Sequence, residues 1–159
     1  MSRSLGPSLP DDVHSALSQS DLAPRLGRGL PLLTVDSDGR PHPMLCTYVE
    51  ILAVAADTLR VAVGATSGTA RNLAERRFAT LLIVEPERVI YVKCRATGAP
   101  LMSGALARFT LKVKDVLEDD ALAWEGGARI TTGITYAPTP SLDTAEAKAT
   151  LTLLRRETG

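Results

Sequence analysis

Apolar residues along this chain fall into short runs separated by turn residues, a pattern of strands rather than of long helices. Leu30–Val35 is a brief apolar run that meets Asp36-Ser37-Asp38-Gly39, and Asp-Gly between two such runs predicts a hairpin. The second arm, Met44 to Val54, reads MLCTYVEILAV, β-branched and aromatic, with Glu50 its one charge. A turn at Asp57-Thr58 leads to a third strand through Leu59, Val61 and Val63. Phe78–Val84 is apolar throughout, as in a strand covered on both sides. In Val89–Ala96, Ile90, Val92, Cys94 and Ala96 share one face, and Tyr91, Lys93 and Arg95 the other. Ala107, Phe109, Leu111 and Val113 alternate with Arg108, Thr110, Lys112 and Lys114, which predicts a half-exposed strand.

Helical spacing is confined to three places. Residues 8–19 carry Ser8, Pro10, Asp11 and Asp12 ahead of Val13, Ala16 and Leu17, the order of a capped helix start. Ala70, Leu73 and Ala74 share a face between the third and fourth strands. Ser141–Glu157 has acids early and Arg155 and Arg156 late, as the helix dipole prefers, with two apolar stripes that suit a helix wedged between two surfaces. The expectation is one domain: an N-terminal helical segment (1–29), a barrel (30–114), a long loop (115–140) and a C-terminal helix (141–159). In fold class this is mostly β, a six-stranded antiparallel barrel with a short helix between strands 3 and 4 and helices at both termini, a split barrel by the family resemblance given below.

Composition narrows the function. Lys plus Arg and Asp plus Glu each number 18 in 159 residues, so no cationic excess exists for nucleic acid. No run approaches the ~18 apolar residues of a membrane span, and the N-terminus has no apolar signal core, so the expected location is cytoplasmic. Cys46 and Cys94 sit apart in strand-like surroundings and read as reduced core residues, and no Cys/His spacing suits a metal. Nucleophilic catalysis lacks an elbow serine and has only two histidines, His14 and His42, to draw on.

One stretch asks for more than a turn. GATSGTARNLAER, residues 64–76, sets Thr66, Ser67 and Thr69 beside two glycines at the mouth of a short helix. Either a hydroxyl there caps the helix, worth ~1 kcal/mol, or the unpaired first-turn amides, the hydroxyls and Arg71 seat an anion. Lys93 and Arg95 line a groove or form a solvated strip. Trp124 and Arg129, in WEGGAR, either cover a planar ligand or anchor a loop. His42 transfers protons or is merely exposed at a strand start.

The order of elements, with T-x-D-x-D-G-R-P at Thr34–Pro41 and S-x-T-x-x-N-L at Ser67–Leu73, resembles the pyridoxamine 5'-phosphate oxidase-like family of FMN-binding split barrels. The resemblance spans roughly residues 30–114. It implies a homodimer with FMN between protomers and the phosphate near Ser67–Thr69, with Thr66, Arg71 and Asn72 beside it. It further implies a flavin ring against Met44, Leu45, Cys46 and Thr47, and contributions from Lys93, Trp124 and Arg129. Family members often carry a basic residue where Gly68 and Thr69 stand, and an arginine where this chain has His42, Pro43 and Met44. The implied activity is an oxidoreductase passing electrons between NADH or NADPH and a small acceptor. Oxidation of vitamin B6 phosphates is not implied, because the C-terminal substrate signature is absent. A flavin carrier or sensor without turnover, and a relative that has lost FMN, stay open beside it.

Overall fold

The computed structural model describes residues 2–120 and 126–158. Among them are eight strands and three α-helices: β1 (Ser2–Gly6), α1 (Asp11–Leu17), β2 (Gly29–Val35), β3 (Pro41–Thr47), β4 (Ile51–Ala55), β5 (Thr58–Gly64), α2 (Gly68–Glu75), β6 (Phe78–Glu85), β7 (Arg88–Ser103), β8 (Leu106–Asp120) and α3 (Ala145–Arg155). The strands form one antiparallel sheet in the order β3-β2-β6-β7-β8-β5-β4, with β1 added to the far half of β8. The sheet curls without closing, and its two edge strands, β3 and β4, are neighbours in sequence. This is the mostly β, split-barrel-like fold with flanking helices expected from the strand pattern together with the family resemblance.

Eight strands replace the expected six for two local reasons. The long second arm breaks into β3 and β4 at Tyr48–Glu50, where Glu50 folds back and its carboxylate accepts the Thr47 N–H. Buried Gln19 braces the same turn, its amide donating to the carbonyls of Tyr48, Val49 and Ile51. The other addition is β1, in a segment expected to be helical only. Its partner half of β8 lies in the expected 115–140 loop, which therefore begins as strand. Acids in this half have cross-strand partners: Glu118 pairs with Arg3 and Arg88, Asp115 accepts from Ser4, and Asp119 accepts from Tyr91. Paired in this way, an acidic run can stay in a ladder.

Alternate strand residues point inward and make one core. Leu32, Val61, Leu81, Ile90, Val92 and Leu111 are all essentially inaccessible there, each aliphatic side chain worth ~1.5–3 kcal/mol when fully buried. α1 adds Val13 and Leu17, and α2 adds Ala70 and Leu73. The two stripes of α3 are covered unequally within the chain, and Ala145 and Ala149 of one stripe are exposed, so the helix lies on one surface and is not wedged between two. Leu151 packs on the main core, while Leu153 and Leu154 join Leu52 and Ala62 in a satellite cluster. The helix starts four residues later than expected, capped by Thr144, whose hydroxyl accepts the Ala147 N–H at 3.1 Å. α1 begins after Pro10 without the side-chain cap expected of Ser8.

Candidate functional site

The junction between β5 and β6 is a helix start with its terminal groups left open. Ser67 is the N-cap of α2, its Oγ accepting the Ala70 N–H at 3.1 Å. Its carbonyl takes the Arg71 N–H. The first-turn amides of Gly68 and Thr69 have no intrahelical acceptor. A capping hydroxyl accepts through its oxygen and keeps its own hydrogen to donate, so capping and anion binding are compatible at Ser67.

Helical spacing then sorts the neighbours into two sets. Thr66, Ser67, Ala70, Arg71 and Ala74 face a groove of about 450 Å³ whose opposite wall is Pro100, Met102, Ala107 and Phe109 of the β7–β8 hairpin. Arg71 is exposed, and its guanidinium makes no hydrogen bond or ion pair among the described residues. Thr69 and Asn72 lie on the inner side with Leu73. Thr69 is 3% exposed, and Asn72 Nδ2 donates to Thr34 Oγ1 at 3.0 Å while its Oδ1 accepts from Arg76. Asn72 thus ties α2 to β2 and does not reach the groove. Gly68 serves a close approach: a Cβ there would lie 3.1 Å from His42 Cε1 and 3.2 Å from Nε2. The β3 imidazole therefore borders the helix start.

The other sequence candidates lie elsewhere. On β3, Cys46 is fully buried and Met44 packs on the core, whereas Leu45 is exposed and Thr47 closes the β3–β4 turn. Burial and the charge of Glu50 push the Cys46 thiol up, and burial alone pushes Cys94 up to about 12, so both behave as inert core residues. Burial also raises the Glu50 carboxyl. Lys93 ends a row Pro43, Leu33, Thr80, Lys93 across the outer face of β3, β2, β6 and β7. That face is apolar, with Leu33, Val35 and Leu82 beside Phe78, which is 54% exposed and carries the Arg95 guanidinium 5.1 Å above its ring. Arg129 pairs with Glu87 at 2.8 Å, in the β6–β7 turn. That turn is seven residues along β6 from the α2 end, roughly 23 Å at strand rise, so Arg129 is remote from the groove of its own chain. Trp124 lies outside the described residues. No cluster of potential metal ligands occurs among the described residues, and none of their helices is long and apolar enough to cross a membrane.

No family model matches the sequence, and no curated protein does. Solved structures do match. An FMN-binding protein from Syntrophomonas wolfei aligns with a TM-score of 0.53 at 16% identity, over 70% of this chain and 90% of that one. A candidate pyridoxamine 5'-phosphate oxidase from Lactobacillus delbrueckii gives 0.54 at 12% identity, over 72% and 98%. The chain has the pyridoxamine 5'-phosphate oxidase-like split-barrel fold. HupZ from Group A Streptococcus aligns at 0.53 and 11% identity, over 68% and 92%. Within this split barrel, the groove wall formed by Pro100, Met102 and Phe109 was not visible in the sequence, because the β5–β8 register brings it to α2 from some forty residues away along the chain.

Proposed function

We propose that the protein is an FMN-binding flavoprotein, with the phosphate at the first turn of α2 and the apolar part of the cofactor along the adjoining groove. One observation carries this reading: two hydroxyls, Thr66 and Ser67, and an unpartnered Arg71 line an apolar groove at a helix start whose first two amides have no intrahelical acceptor. The groove's volume falls within the ~300–1,000 Å³ usual for ligand pockets. The amides and hydroxyls would hold phosphate oxygens, and Arg71 would supply charge. Where family members place a further cation, this chain presents the half-buried His42. FMN supplies two-electron chemistry when bound, and the chain supplies binding, orientation and electrostatics.

The proposed assembly is a homodimer in which a second copy covers the apolar outer face of β3, β2, β6 and β7. Leu33, Val35, Leu82 and the exposed Phe78 make that face more apolar than a lone surface usually is. A partner there would bring Lys93, and Arg129 from the β6–β7 turn of the other barrel, toward the cofactor, and Trp124 is proposed to join them. The proposed activity is electron transfer from NADH or NADPH to a small acceptor. A carrier without turnover is the second reading, favoured because Arg71 is the one ionisable residue lining the groove. Purified protein should co-elute with a flavin absorbance band at the size of a dimer and oxidise NADH or NADPH. A flavin band without nicotinamide oxidation selects the carrier. Colourless protein that takes up no added FMN rejects both.

A further inference from the structure

Two arginines lie beneath the C-terminal end of α3 without a buried carboxylate between them. Arg60 on β5 and Arg108 on β8 are 9% and 3% exposed. They rise from the same sheet face, since Ala62 pairs with Arg108 and Arg60 with Thr110. Arg60 Nη1 donates to Leu154 O at 2.9 Å and Arg108 Nη1 to Leu153 O at 3.0 Å, and both also reach Arg156 O. The one carboxylate in ion-pair range among the described residues, Glu157, is 3.6 Å from Arg60 and 87% exposed. Arg108 Nε is buried without an acceptor. Two guanidiniums have thus left water for helix-end carbonyls worth about half a negative charge. Buried charge so weakly countered is costly to keep. The apolar seat is also small: Leu52, Ala62, Leu153 and Leu154 are the buried members of its satellite cluster, and the half-buried Leu151 adds a contact to the main core.

The same helix meets the tip of the β7–β8 hairpin. Leu101 and Leu106 pack on the satellite cluster under α3, while Pro100, Met102 and Ala107 wall the groove beside α2. Ala105 O also accepts the Ala65 N–H at 2.8 Å, joining the tip to the junction. The β7–β8 ladder shifts register between Thr97 and Leu101, so the tip is set off from the regular hairpin. One ribbon therefore has α3 on one side and the candidate ligand groove on the other.

We propose that α3 is a releasable strap, latched by Arg60 and Arg108, whose docking holds the β7–β8 tip and thereby shapes the groove beside α2. The latch stands on its own contacts, and only its effect on ligand rests on the flavin reading. Hydrogen exchange of the whole chain tests it, comparing wild type with Arg108→Ala, which removes the donors and leaves a void under the helix end, and, should that variant fail to fold, Leu154→Ala. Exchange in residues 145–155 and 100–106 should accelerate together by about ten-fold or more, with the strands around Leu81 and Val92 unchanged. In parallel FMN titrations, the variants should bind with altered affinity. Acceleration of the whole barrel together would overturn the strap, as would a tip that stays protected when α3 opens. Failure of wild type to bind FMN would reject the flavin reading and leave the exchange test of the strap intact. Unchanged FMN affinity with a loosened tip would overturn its effect on the groove.

Discussion

Two helix ends of this molecule, the C-terminus of α3 and the N-terminus of α2, are finished in opposite ways. At the C-terminus of α3 the chain spends two buried arginines on the last carbonyls. At the N-terminus of α2 it caps with Ser67, leaves the next two amides open and sets an exposed, unpartnered Arg71 beside them. Both ends carry unsatisfied backbone groups and a partial charge. One is closed by the protein itself and the other faces a groove. A terminus completed internally has no backbone groups to offer a ligand, whereas the one left open beside an apolar wall is where the phosphate is proposed to sit.

The sharpest break in this comparison comes from the closed end. Leu154→Ala should cost about 2–4 kcal/mol in denaturant unfolding, the range for a fully buried leucine. A loss under 1 kcal/mol would mean that α3 contributes little to the fold. Next is Gly68→Ala, which forces a Cβ against the His42 ring and should cost about 1–3 kcal/mol as overpacking. The cost should largely disappear in a His42→Ala background, and a double-mutant cycle measures that coupling. Ser67→Ala should lose ~1 kcal/mol of stability through the missing cap. Arg71→Gln should change stability by less than ~0.5 kcal/mol, because an exposed side chain without partners supports nothing else in the chain. A larger loss at Arg71 would show that the open end has an internal partner after all.

Much of the barrel was legible because strand alternation survives burial. The inward rows Ile90, Val92, Cys94 and Phe109, Leu111, Val113 lie where period two puts them. The acidic end of β8 misled because its partners come from distant strands: Arg3 and Arg88 pair with Glu118, and Tyr91 donates to Asp119. The junction was readable as a stretch but not as a surface. Spacing of three and four residues links Thr69, Asn72 and Leu73 on one side of α2 and Ser67, Arg71 and Ala74 on the other, and that period separates inner from groove-facing residues. The groove's far wall depends on the β5–β8 register, which no local pattern encodes.

Titration of FMN and riboflavin side by side, against wild type, Ser67→Ala and Arg71→Gln, tests the phosphate seat most directly. Wild type should prefer FMN. Each variant should lose about ten- to a hundred-fold of FMN affinity, as expected for a hydrogen bond to a charged group at ~1.5–3 kcal/mol. Riboflavin, which has no phosphate, should be nearly indifferent to both changes. Equal affinities in wild type, or parallel shifts of the two ligands in the variants, would mean that the start of α2 is a capped helix and holds no phosphate.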